Sequence, residues 1–225
     1  VGGGGAVIDV KPSSSLTMER GIAGTGASAV LSKDGTGTLT LGSSNQMGRL
    51  VIVAGVVNAV ESGDQTQLPP VVEFEVPEGA TGTFYADPRC NYRGKLTGAG
   101  TFNVNAAGVR NYFQGDWSGF EGTLVPGLSK RGTYDPSFDF DNNYGLPKAT
   151  LQLNSGVTFN NRGHAVSIAN VTGSGVLRPG RRHQVPWPVR WLVGSEDRRR
   201  HMVCIHLFPA RQHRFGNGER RRAVS

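Results

Sequence analysis

Between Gly35 and Val57 the chain reads GTGTLTLGSSNQMGRLVIVAGVV: alternating apolar residues, a run of small polar ones, then a second apolar run closing on glycine and valine. Alternation with period two marks a half-buried strand. It suits one hairpin of an ordinary sheet and one turn of a repeating structure equally well. Recurrence separates the two. GTGTLTL (Gly35 to Leu41) returns as GAGTFNV (Gly98 to Val104) and as GSGVL (Gly173 to Leu177), each after a similar lead-in, LSKDGTG, GKLTGAG and ANVTGSG. From Gly35 to Gly98 is 63 residues and from Gly98 to Gly173 is 75. Each interval holds three coils if a coil takes about 20 to 25 residues, a usual length for solenoid repeats.

Further short alternating runs lie between these marks: VVEFEV (71–76), GTFYA (82–86), GTLV (122–125), ATLQL (149–153) and HAVSI (164–168). Strands this short are unstable as an isolated sheet. Stacked coil on coil, with rungs about 4.8 Å apart, they enclose a continuous apolar column. Three strands per coil are expected, with Gly and Asn at the bends, where positive φ or close backbone approach is needed. In LQLNSGVTFNNRGHAVSI, Leu151, Leu153, Val157 and Phe159 flank one such bend at Asn154-Ser155-Gly156, and Asn160, Asn161 and Gly163 form the next.

Composition agrees with an all-β chain. Of 225 residues, 33 are glycine, about twice the usual ~7%. No G-X-Y period accompanies them, no stretch carries a 3.6-residue apolar period, and none approaches the roughly 18 apolar residues of a membrane span. The net charge of +7 is concentrated at one end. Residues 1–177 carry 12 Lys+Arg against 14 Asp+Glu, whereas 178–225 carry 12 against 3, and every basic residue there is Arg. That stretch also holds four of the five His and two of the three Trp, without strand alternation or helix caps. It is expected to be an irregular, disordered tail or out-of-frame translation, since a G-rich coding sequence read in a slipped frame yields Arg and Trp codons. Binding of an anionic polymer through its arginines is the functional alternative, and specific nucleic-acid recognition is not expected. The organisation is therefore a Gly-rich N-terminal edge with first strands (1–30), a β-solenoid (31–177) and the Arg-rich tail (178–225). The start VGGGGAVIDV lacks Met and the zones of a signal peptide, as expected for a piece of a longer chain. Cys90 and Cys204 lie on opposite sides of the change at 177, so no disulfide framework or zinc spacing is indicated.

The stretch from Gly35 to Val57 resembles the autotransporter-associated β-strand repeat: a G-x-G-T-L-x-L strand, a polar Gly/Asn-rich stretch, and a second strand ending in a Gly-Thr-Leu-like segment. NYRGKLTGAGTFNVNAAGVRNYFQGDWSGFEGTLVP (Asn91 to Pro126) is similar over its whole length, closing on Gly119, Phe120, Gly122, Thr123 and Leu124. Residues 146–177 follow the pattern loosely, and Val56-Val57 departs from it where Thr-Leu is usual. The resemblance implies a right-handed parallel β-helix with Gly/Asn-rich corners, in the exported, surface-displayed part of a large bacterial protein whose membrane part lies outside this chain.

Four places carry candidate chemistry. In TYDPSFDFDNNYG, Asp139, Asp141 and Asn143 match the opening D-x-D-x-N of a calcium loop and Asp135 lies nearby, but Tyr144 stands where the loop needs Gly and Thr150 where it needs Glu. A solvated loop rich in Asx turns is the preferred reading. His164 follows Arg162-Gly163 in a weak likeness to β-helical pectin hydrolases, and a strand-end histidine satisfied by water or backbone is preferred. Asp116 and Glu121 in GDWSGFEG are either paired carboxylates or, preferably, a corner where Trp117 and Phe120 pack on the next coil. Cys90 reads as a strand-end residue rather than a nucleophile. No nucleophile elbow, P-loop or dinucleotide fingerprint is present.

No catalytic, cofactor or metal residue is therefore assigned, and the expected function is a non-catalytic structural or adhesive β-solenoid at a bacterial cell surface. Surface glycans or other cell-surface polymers are the expected partners. A carbohydrate-binding or polysaccharide-cleaving β-helix is the alternative, which requires two carboxylates or an aromatic platform on one face. Limited trypsin digestion is expected to remove Arg178–Ser225 faster than any other part of the chain. A tail that resists as well as the body does would show it to be an integral part of the fold.

Overall fold

Leu16, Leu39, Val57, Phe84 and Val104 stand directly above one another on successive rungs of one parallel sheet, and Phe102, Leu124, Leu151 and Val171 form the neighbouring inward column of the same sheet. Leu39 and Val57, the two halves of the stretch GTGTLTL…GVV, are thus one full coil apart. The chain is a parallel β-solenoid. A computed structural model describes residues 5–19, 22–24, 29–42, 45, 47–60, 71–86, 91–107, 111–129, 137–178 and 205–206, and no helix occurs among them.

Among the described residues the first three coils show two strands each: β1 (Ala6–Asp9) and β2 (Ser15–Met18), β3 (Val30–Asp34) and β4 (Thr38–Gly42), β5 (Met47–Ile52) and β6 (Ala54–Val60). Two coils of three strands follow: β7 (Val71–Val76), β8 (Thr81–Ala86) and β9 (Asn91–Tyr92), then β10 (Lys95–Gly98), β11 (Thr101–Ala107) and β12 (Tyr112–Phe113). The last coils return to two strands: β13 (Thr123–Ser129) with β14 (Ser137–Phe140), β15 (Leu146–Leu153) with β16 (Thr158–Asn160), and β17 (Ser167–Gly173) with β18 (Val176–Arg178). The first sheet runs β1-β3-β5-β7-β10, the central sheet β2-β4-β6-β8-β11-β13-β15-β17, and the third β9-β12-β14-β16-β18. At the far end of the central sheet, the two-residue strand β19 (Ile205–His206) pairs antiparallel with Ser167–Ile168. The remainder of the Arg-rich tail, 179–204 and 207–225, lies outside the described residues, as do Cys90, Cys204 and Asp135.

Among the described residues, three strands per coil, the expectation from the sequence, are seen only in the two middle coils. Core chemistry changes along the stack. Early coils are filled by aliphatic side chains such as Leu31, Leu39, Leu50, Ile52 and Val57, all buried. From β7 onward aromatic rings join the aliphatic core, beginning with Phe74. Tyr92, Phe113, Phe138 and Phe159 form a line of stacked rings under the third sheet, with successive centroids 5.1, 4.4 and 5.7 Å apart and interplanar angles of 17°, 7° and 18°. The first sheet ends after β10 because Trp117 and Phe120, both buried, turn inward three residues apart, whereas a strand sends residues separated by an odd number to opposite faces. That segment leaves strand geometry and keeps only the single bridge Gly98–Phe120. The Trp117 Nε1–H donates to the Gly94 carbonyl at 3.1 Å.

The G-x-G marks are half of a two-coil corner. On one coil a four-residue turn closes with the fourth amide donating to the first carbonyl, as in Lys11–Ser14 (3.1 Å), Pro77–Ala80 (3.0 Å) and Asn154–Val157 (3.1 Å). On the next coil the second glycine of each G-x-G, Gly37, Gly100 and Gly175, donates to Val10, Val76 and Leu153 at 2.9, 3.0 and 2.9 Å. The residue after it, Thr38, Thr101 or Val176, donates to the end of the turn at 3.0, 2.9 and 2.8 Å. A Cβ on the second glycine would lie 2.6–2.7 Å from the turn's final carbonyl oxygen in all three copies. Here glycine is required by space. The first two copies join the first sheet to the central one, and from β4 to β11 is three coils as expected, although the register carries Leu39 to Val104, two residues beyond Phe102. The third copy joins the central sheet to the third, because Val176–Leu177 pair with Thr158–Phe159. The interval from Gly98 to Gly173 is therefore not a whole number of coils: the motif has moved on by one corner.

Two alanine substitutions separate space from backbone conformation. Gly79 sits at φ 76° with nothing within 4 Å of an added Cβ, so Gly79→Ala costs only the left-handed penalty of about 1–2 kcal/mol. Gly100→Ala must push two coils apart and costs about 3 kcal/mol or more. Urea unfolding of both variants checks this. Equal losses would contradict the stacked corner.

Candidate functional site

Four of the residues singled out by the sequence, Asp139, Asp141, Asn143 and His164, come together outside the third sheet. Parallel register does the work: Tyr112, Asp139 and Asn160 stack on consecutive rungs, and Gln114 and Asp141 follow the stacked pair Phe113–Phe140. His164 enters from the next bend, where Arg162 adopts φ 54°. The His164 amide donates to the Asn161 carbonyl at 3.0 Å, and the buried Asn161 Nδ2 donates to the His164 carbonyl at 2.6 Å.

Both ring nitrogens of His164 and both carboxylate oxygens of Asp141 are engaged. His164 Nε2 lies 3.0 Å from Asp141 Oδ1 and its Nδ1 lies 2.7 Å from Asn143 Oδ1. Gln114 Nε2 donates to Asp141 Oδ2 at 2.8 Å, and Arg93 Nε donates to Gln114 Oε1 at 3.3 Å. Asn160 Nδ2 donates to Asp139 Oδ1 at 2.7 Å, while Arg162 Nη1 stands 3.9 Å from Asp139 Oδ2 with its guanidinium 4.9 Å from the centroid of the Tyr112 ring. Burial works against the charge of Asp141, but hydrogen bonds from Gln114 and His164 and the charges of His164 and Arg162 outweigh it and hold its carboxyl below the usual carboxylate range.

This arrangement fixes coils to one another. Glycosidic hydrolysis needs one carboxyl raised to serve as acid beside an ionised one, and Asp141 is shifted the opposite way with both oxygens occupied. Two expectations are corrected in detail. His164 is satisfied by side chains rather than by water or backbone. Asp139 is buried in β14 instead of lying in a solvated loop, because its oxygens face neighbouring rungs. The Asx turn itself is present at Asn142, whose Oδ1 accepts from the amides of Tyr144 at 3.0 Å and Gly145 at 3.2 Å. Among the described residues no group of three or more His, Cys, Asp or Glu is placed to hold a metal ion.

Asp116 and Glu121 are not a pair. Asp116 accepts from the amide and hydroxyl of Ser118 at 3.0 and 2.6 Å, and Glu121 meets Lys148 at 2.8 Å in an exposed ion pair. Trp117 and Phe120 between them pack into the core, as the corner reading expects.

Lys33 escaped the sequence reading. It lies in the lead-in LSKDGTG, where a lysine suggests a solvated side chain, yet it is fully buried. Its Nζ donates to the carbonyls of Asp34, Gly35 and Ala54 at 2.8, 2.7 and 3.1 Å, closing the corner from within. Burial pushes its ammonium below the ordinary value, opposed by the charges of Asp34 and Asp9. Its inward position in alternating β3 was the available signal.

Compared with known proteins, the chain matches no family model, no curated protein and no solved structure. Among the described residues no helix is long and apolar enough to cross a membrane, which says nothing of a β-barrel.

Two measurements test these assignments. An Asp with a depressed folded value adds stability above its unfolded value of about 3.9, and that stability is lost as pH falls through the folded value. Asp141→Asn should therefore be less stable at neutral pH and show a shallower loss of unfolding free energy below about pH 4; parallel pH profiles would contradict the assignment. Lys33→Met removes a donor shared by three carbonyls, of which that of Asp34 keeps the Val10 amide, and should cost about 2 kcal/mol, read by urea unfolding, whereas an unchanged midpoint would show that the ammonium closes nothing.

Proposed function

We propose that this chain is a structural and adhesive segment of a large exported bacterial surface protein, built on autotransporter-associated β-strand repeats and without catalysis of its own. The observation that supports this most is the coincidence of the repeat pattern with the coil. Gly35–Val57 runs from a G-x-G corner through β4 and β5 to Val57, which stacks on Leu39. Asn91–Pro126 likewise takes Phe102 round to Leu124. A repeat that is also one coil lengthens a rod whenever it is copied, as a spacer requires. The His164–Asp141 cluster supports the non-catalytic half of the reading, since its polar groups are spent on holding coils together.

Antibodies raised against the chain should label intact cells of the bacterium that encodes it, and mild external protease should remove the label. A signal found only after lysis would contradict surface display. The purified chain should leave polygalacturonate uncut. Turnover abolished by His164→Ala would replace the structural reading with a polysaccharide-cleaving one.

A further inference from the structure

The outward face of the central sheet differs from the polar cluster just described. Thr17, Thr40, Asn58, Tyr85, Asn105 and Gly127 form one outward column on consecutive rungs. Thr83 and Asn103 stand beside it in the next column, with Asn103 Nδ2 donating to Thr83 Oγ1 at 3.4 Å. The outward positions of β4, β6, β8 and β11 whose side chains are described carry Thr, Val, Asn, Tyr, Ala and Gly, with no charged group. Tyr85 is 41% exposed. Among the described residues the side chains of Asn58, Tyr85 and Asn105 make no hydrogen bond, in contrast to the third sheet, where neighbouring polar groups satisfy one another. Gly127 adds to this. A Cβ there would collide with the Asn105 side-chain oxygen, so the glycine gives that amide room and leaves a side-chain-free notch beside it.

An aromatic ring with an amide one rung above and one rung below, on a face whose described outward positions carry no charge, fits one class of ligand. Sugar rings present an apolar C–H face that packs on an aromatic ring, and hydroxyls that bond to amides. The rung spacing of about 4.8 Å is close to the length one pyranose spans in an extended chain, so successive sugars meet successive rungs. The lack of charge disfavours an acidic polymer, which would need paired cations.

We propose that the face around Tyr85 binds a neutral polysaccharide, Tyr85 stacking on one sugar while Asn58 and Asn105 bond hydroxyls of the sugars on either side. This inference rests on the adhesive reading and names its ligand class. The closed third-sheet cluster takes no part in it.

Calorimetric titration of the full chain with cellohexaose, mannohexaose and xylohexaose, and with hexagalacturonate as the acidic comparison, tests the site. At least one neutral hexasaccharide should bind. Tyr85→Ala should weaken it about tenfold, Asn58→Ala and Asn105→Ala about threefold each, and Tyr85→Phe should retain most of the affinity because the ring remains. The circular dichroism spectrum and unfolding midpoint of Tyr85→Phe should match those of the unsubstituted chain. Absence of binding to all three neutral sugars, undiminished binding by Tyr85→Ala, loss by Tyr85→Phe equal to that by Tyr85→Ala, or equally tight binding of hexagalacturonate would each overturn the proposal. None of these results affects surface labelling of cells, so failure of the site and failure of the surface reading are distinguishable.

Discussion

Close approach of backbone to backbone at the bends is the constraint on which this solenoid depends. Strands in adjacent coils lie about 4.8 Å apart, and a coil can stack only if its corners come as near as its strands do. Wherever the Gly-x-Gly corner occurs, its second glycine lies so close to the turn beneath it that a methyl group would press on a carbonyl oxygen. Three corners solve the problem with the same pair of pieces, a four-residue turn below and Gly-x-Gly above, and with matching hydrogen bonds. At the corner of β3, the fourth solution is chemical: the Lys33 ammonium ties together three carbonyls from two coils. Once the corners fit, the strands add their ladders, and the core need only be apolar and continuous.

The faces of the rod then divide its tasks. Outside the third sheet, the ladder Arg93–Gln114–Asp141–His164 runs across four coils and ends on Asn143, and Asp139 is shared between Asn160 and Arg162. Such a network stiffens the stack because losing one member strands several partners. Outside the central sheet, Asn58, Tyr85 and Asn105 leave their polar ends available to solvent or to a ligand. A rod that satisfies its polar groups internally on one side and presents them on another is suited to extension and contact together.

Much of the fold was legible because strand period and corner chemistry are local. VVEFEV coincides with β7, and Asn154-Ser155-Gly156 forms the bend that its residues predict. What escaped depends on stacking between coils of unequal length. Leu39 to Val57 spans 18 residues, but Val57 to Phe84 spans 27, so no fixed period reveals that His164 will meet Asp141 or that Asn58 and Asn105 will flank Tyr85. HAVSI carries strand alternation, yet only Ser167 and Ile168 within it are strand, because the Asn161 bend holds His164 on the third sheet. The inward turn of both Trp117 and Phe120 breaks the two-residue period that counting strands relies on, and it ends the first sheet.

Disulfide trapping tests the stacked coil most directly. In a background with Cys90→Ser and Cys204→Ser, the pair Thr38→Cys and Val56→Cys places two thiols on adjacent in-register positions of β4 and β6, within the Cα separation a disulfide spans. The pair Thr40→Cys and Arg49→Cys would be opposed only if GTGTLTL and MGRLVI formed a hairpin. Oxidation should cross-link the first pair nearly completely and the second hardly at all, as read by peptide mass mapping. Efficient cross-linking of Thr40→Cys to Arg49→Cys, with none between Thr38→Cys and Val56→Cys, would contradict the solenoid.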